Sequence, residues 1–149
     1  MYLFRLFILA FMAFILVATC TSDPHAFLYN QVVSFKINPS PVFADLFIIG
    51  DIPLTSGFYL IQKTAHVLGF GVLYILLLRG FNNMKIAFVV SGSYALLTEV
   101  LQLYFSRSGR LFDVGIDLVG IYLAYLLCNS FSKNAIDDRE NKPLIADHK

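Results

Sequence analysis

Four stretches of the chain, residues 2–19, 64–81, 86–105 and 111–131, are almost continuously apolar. Each is close to the length that a bilayer core requires, about 20 residues with a range of about 17–25. None alternates apolar with polar positions as a barrel strand would. In lipid every backbone group has to be satisfied internally, so all four are expected to be helices. The predicted fold is therefore all-α: a polytopic membrane protein whose four transmembrane helices form a bundle, with one transmembrane domain over 1–131 and a polar cytoplasmic tail over 132–149. Residues 20–63 are too polar and too broken to cross. Within them, Asn38-Pro39-Ser40-Pro41 marks a turn, because Pro removes a donor and biases its predecessor away from helix. The apolar run 42–49 is too short to span. It is expected to lie at the interface or re-enter the bundle, with Asp51-Ile52-Pro53 as its stop. The charge-mixed tail reads as a mobile soluble end.

Composition agrees with that pattern. Only 14% of the 149 residues are charged, against about 25% in soluble domains, and mean hydropathy is +0.71. Trp is absent, so Tyr must supply the interfacial aromatic belt. A net charge of +1 argues against nucleic acid as a partner. No Gly-rich phosphate loop is present, and no cofactor is expected. Cys20 and Cys128 end the first and last spans, on opposite membrane faces, which argues against a disulfide between them.

Orientation follows from Lys and Arg near the span ends. Arg5, Arg79, Lys85, Lys133, Arg139, Lys142 and Lys149 fall on one side, and Lys36, Lys63, Arg107 and Arg110 on the other. The first side is expected to be the cytoplasm, with both termini there and the protein in the plasma (inner) membrane. The first segment has a competing reading as a leader cleaved near Val17-Ala18-Thr19-Cys20. Its n-region is nearly uncharged and it lacks an A-x-A site, which favours a retained span.

The ionisable residues of the last three spans gather at one end of each. With a rise of about 1.5 Å per residue, Glu99 and Asp117 each lie about 9 Å below the outer ends of their helices, and His66 sits one turn below Lys63. Lys63 and His66 are i,i+3, Glu99 and Gln102 are i,i+3, and Asp113 and Asp117 are i,i+4, so each set shares a helix face. Gly120 and Ala124 continue the last stripe as small residues that permit close helix approach. Arg107 and Arg110 lie in the turn between the third and fourth spans. Unpaired carboxylates at such depth are strongly disfavoured, so pairing is expected. His66 is the natural switch among them. The candidate polar cluster is Lys63, His66, Glu99, Gln102, Arg107, Arg110, Asp113 and Asp117. Intramembrane ionisable groups default to a functional role. The plainer account is that such residues tie helices together at about 1 kcal/mol or less per link, with Arg107 and Arg110 snorkelling to headgroups.

These motifs resemble the VanZ-like membrane proteins. Lys63-Thr64-Ala65-His66 opens one span, Glu99-Val100-Leu101-Gln102 closes the next, and Arg107-Ser108-Gly109 is followed by Asp113-Val114-Gly115-Ile116-Asp117-Leu118-Val119-Gly120. The neighbourhood of Ser22, Asp23, Pro24 and His25 is similar to the family's turn after its first span. The chain departs from the pattern in a shorter Gln102-to-Arg107 turn without Pro-Gly, and in Gly69 where the family often has an acid. The resemblance implies a cell-envelope protein. The founding member is associated with low-level resistance to the glycopeptide teicoplanin, and relatives with lipoglycopeptides, without an established biochemical activity.

Two functions of different class follow as expectations. The first is binding, without catalysis. An outward polar pocket would hold a lipid headgroup, a lipid-linked cell-wall precursor or the tail of a lipophilic antibiotic, with Arg as a planar fork for phosphate. The alternative is an intramembrane enzyme acting on a lipid-linked phosphate or ester. There His66 would be the general acid or base, Glu99 or Asp117 would orient it, and Lys63 and Arg107 would hold the anion. It lacks a persuasive nucleophile. A proton relay through Glu99 and Asp117 is a further option. Metal binding by His66, Glu99 and Asp117 has no supporting Cys or second His nearby, since His25 lies in the outer loop and His148 in the tail; no metal is expected.

Overall fold

The computed structural model describes residues 2–48 and 55–140, with backbone alone from 132 onward. Helix α1 runs Tyr2–Cys20, α2 Pro24–Asn30, α3 Gly57–Phe81, α4 Met84–Tyr104 and α5 Leu111–Glu140, with a 3₁₀ turn over Phe43–Phe47 between α2 and α3. No strand occurs among the described residues. Four helices are long and apolar enough to cross a membrane: α1, α3, α4 and the Leu111–Phe131 part of α5. They ring a core of Ile8, Ile15, Phe70, Leu73, Tyr74, Leu77, Ala87, Ala95, Ile121 and Ala124. Large apolar side chains such as Leu68, Val89, Leu123 and Leu127 point outward and are exposed around the bundle. In water that surface would be untenable; in lipid it is the required exterior.

Local chemistry sets the helix ends. Asp23 accepts from the Ala26 amide and Pro24 follows at the first turn of α2, the usual places for a cap and a Pro. Ser56 caps α3 through the Tyr59 amide. That cap, with Phe58, Leu60 and Ile61 behind it, starts α3 seven residues ahead of the expected position 64, so Lys63 and His66 sit inside the helix instead of opening it. Asn82 ends α3 in the left-handed region (φ 51°), and Asn83 caps α4 through the Lys85 and Ile86 amides. Replacing Asn83 with Ala is expected to lower stability by about 1 kcal/mol, read as a fall in thermal midpoint of the detergent-purified chain.

Helix α3 packs most extensively on α5, α4 lies against both, and α1 closes the bundle against α3 and α4. Small residues make the α3–α5 crossing close. Gly71 faces the Gly120 carbonyl, and a Cβ built on Gly120 would fall onto the Val67 carbonyl. Along α4 the buried Ala87, Ser91, Ala95 and Thr98 form the matching narrow face, with both hydroxyls bonded back to backbone carbonyls of the preceding turn. The Tyr94 hydroxyl donates to the Met12 carbonyl at 2.6 Å and ties α1 to α4.

One sequence expectation changes and a second holds. Helix α5 continues through Glu140, so the first nine residues of the expected mobile tail are helical. Leu111 to Phe131 is already a helix there, and each added residue extends it by one hydrogen bond. The apolar run after Pro41 forms the short 3₁₀ turn and packs against α4 and α5. The expected stop at Asp51-Ile52-Pro53 and the tail beyond Glu140 lie outside the described residues.

Candidate functional site

The site lies where the Lys63–His66 turn of α3, the end of α4 and the start of α5 meet. Three helices each contribute one donor: His66, Glu99 and Asp117 present ligand atoms that all lie within 4.8 Å of one another. His66 Nδ1 is 2.9 Å from Asp117 Oδ1. Asp117 is fully buried, and its Oδ2 has no hydrogen-bond partner among the described residues. Glu99 is also fully buried. Its Oε1 accepts from Gln102 Nε2 at 2.6 Å and its Oε2 from the Arg110 amide at 2.9 Å. One turn toward the helix ends, Lys63 Nζ meets Asp113 Oδ1 at 2.6 Å and lies over the Tyr59 ring.

Arg107 does different work from the expected side-chain pairing with acids. Arg107 donates through Nη1 to the Thr21 carbonyl at 2.8 Å. Burial lowers its pKa from the ordinary guanidinium value, and the nearby Glu99 charge opposes that; a guanidinium stays charged regardless. Arg110 serves Glu99 through its backbone. The preceding Gly109 makes this possible, because a Cβ there would collide with the Glu99 carbonyl. Ser106, at φ 55°, takes the left-handed turn that carries the chain away from α4.

A strap from the loop between α1 and α3 roofs the site. Ser22 Oγ donates to the Phe105 carbonyl at 2.9 Å and accepts from the Lys36 amide at 2.7 Å. The Asn38 amide donates to the Tyr104 carbonyl, and Ser106 Oγ to the Lys36 carbonyl. The Tyr104 and Phe105 carbonyls at the end of α4 are thereby satisfied. Thr21, Ser34, Lys36 and Asn38 were not among the sequence candidates; polar residues in a loop give no local signal of which helix end they will cap.

Two cavities flank the cluster. An apolar groove of about 270 Å³ runs between α1, α2 and α3, lined by Phe11, Phe27, Phe58, Ile61 and Gly69 among others, and reaches His66. A polar cleft of about 380 Å³ is lined by Tyr59, Gln102, Ser106, Arg107, Arg110 and Asp113. Pro24 and Gln62 line both, so the cavities abut. Among the described residues no Ser, Thr or Cys hydrogen-bonds to His66. A serine- or cysteine-nucleophile arrangement, which needs the base within hydrogen-bond reach, is therefore not formed.

Comparison with known proteins is consistent with this architecture. Residues 1–132 match the VanZ/LLP1 family. The chain is 37% identical over 121 residues, 81% of its length and 86% of the relative's, to an uncharacterized membrane protein, YwnJ, of Bacillus subtilis (strain 168). No solved structure matches.

Proposed function

The chain belongs to the VanZ/LLP1 family of multi-pass membrane proteins, and from that premise we propose that it binds an anionic amphiphile at the outer face of the plasma membrane. The phosphate-bearing head lies in the polar cleft and the tail in the apolar groove. The observation that carries this reading is the junction of the two cavities at Pro24 and Gln62, which matches a ligand that is charged at one end and greasy at the other.

Arg107 and Arg110 supply the charge for the head. Arg107 spends one donor on Thr21, and a guanidinium has five. Asp113, the acid lining the cleft, is offset by Lys63 at 2.6 Å, which leaves the Arg107 guanidinium as a cation for the head. The Lys and Arg asymmetry along the chain supports an outward orientation of this face, with both termini in the cytoplasm. A lipid-linked cell-wall precursor or the acylated tail of a glycopeptide both fit such a pocket. Through either, the protein would contribute to teicoplanin-type resistance.

The test uses the full chain in lipid nanodiscs with a polyprenyl phosphate as probe. Each charge-assisted hydrogen bond lost is worth about 1.5–3 kcal/mol, and about 1.4 kcal/mol is tenfold. Arg107→Gln with Arg110→Gln should weaken binding by about a hundredfold or more. Equal affinity of the wild type and the double variant would sink the reading, and so would equal affinity for an uncharged polyprenol.

A further inference from the structure

We propose that His66, Glu99 and Asp117 form a binding site for a single zinc-like divalent cation, set between α3, α4 and α5. The claim does not depend on the amphiphile reading. One imidazole and two carboxylates, each from a different helix, converge with their donor atoms within 4.8 Å. A tetrahedral ion with ligands at about 2.0–2.1 Å needs donors about 3.3–3.4 Å apart, so closure around an ion asks only for side-chain adjustments of about an ångström. A second observation is independent of the clustering. Asp117 Oδ2 is buried and, among the described residues, without a hydrogen-bond partner, in a residue with no exposed surface. Buried carboxylate oxygens are nearly always satisfied, and an orphan one calls for an explanation such as an ion.

The surroundings are those of a ligand set. Glu99 is held by Gln102 Nε2 and the Arg110 amide, one hydrogen bond per oxygen, which leaves each oxygen a lone pair for a metal. Outer partners of this kind orient ligating carboxylates. His66 lines the groove between α1, α2 and α3, so the cluster is not sealed on every side. Two carboxylates carry a charge of minus two, which a divalent cation cancels inside the bundle. The donor type narrows the metal. Imidazole with carboxylates suits zinc and its first-row neighbours, whereas calcium and magnesium prefer all-oxygen sets. Three protein ligands leave at least one coordination position for water or an anion.

The test needs no lipid ligand, so its failure is separate from failure of amphiphile binding. The full chain is purified in detergent, stripped with chelator and titrated with Zn²⁺ alone, with Co²⁺ as a spectroscopic substitute. We expect one ion per chain and a higher thermal midpoint with the ion present. Asp117→Asn and His66→Gln should bind at least about tenfold more weakly while keeping the helical circular-dichroism signal. X-ray absorption of the zinc-loaded wild type should show nitrogen and oxygen neighbours only, which keeps the proposal testable even if a variant fails to fold. No uptake by the stripped wild type, wild-type affinity in both folded variants, or sulfur in the zinc shell would each overturn it.

Discussion

Gly120→Val is expected to abolish recovery of folded protein. The new Cβ falls onto the Val67 carbonyl of α3, and backbone cannot yield as a flexible side chain would. Branching at Cβ makes the position worse still. Overpacking a core costs about 1–3 kcal/mol and occasionally more. Here the clash lies on the most extensive helix contact of the bundle, and relief requires α3 and α5 to separate. That would part His66 from Asp117. Yield of monodisperse protein from size-exclusion chromatography in detergent is the measurement. Gly115→Val is the matched comparison on the same helix, because a Cβ there meets nothing within 4 Å; it should express near the wild-type level. Similar yields for the two variants would show that the close crossing does not hold the bundle together.

The second large effect is at Glu99. Its carboxylate receives Gln102 Nε2 and the Arg110 amide with no exposed surface of its own. Glu99→Ala deletes the acceptor for both and opens a polar void. Leaving a buried donor unsatisfied costs about 1–3 kcal/mol for each of the two. The turn from Arg107 to Arg110 should come loose, since the Arg110 amide is its anchor to α4. Glu99→Gln offers a contrast. Its amide oxygen can still accept from the Arg110 amide, and Gln102 can turn its own amide to present oxygen to the new NH₂. Most of the stability should return while the charge is lost. Thermal unfolding in detergent separates the two. If Ala and Gln give the same midpoint, the hydrogen bonds to Glu99 contribute nothing measurable.

How much of this was legible in the sequence can be judged residue by residue. The four spans followed from apolar run length, because lipid leaves a spanning backbone little choice but helix. The convergence of His66, Glu99 and Asp117 was visible from rise per residue alone, since two helices with acids at equal depth on one face, and a third with an imidazole there, have few other ways to pack. The partners within the cluster were not visible. The sequence shows arginines near acids and suggests side-chain pairing, yet Arg107 goes to the Thr21 carbonyl and Glu99 takes a backbone amide. Those choices depend on the path of the turn, which Gly109 and the left-handed Ser106 determine. The start of α3 was misplaced because Lys63 and Gln62 look like loop residues until Ser56 is known to be a cap. The expectation of no metal rested on the absence of Cys and a second His. The zinc site proposed above rests instead on carboxylates that the helices deliver to one point.

The strap that roofs the site has a consequence for biogenesis. Thr21 and Arg107 are 86 positions apart, and Ser22 and Phe105 are 83. During synthesis the loop after α1 is made with the first span, long before the helix end that it covers exists. The first span must therefore wait in the bilayer, its Met12 carbonyl without the Tyr94 hydroxyl, until the third has been inserted. The covering segment is made first and the helix end it covers much later.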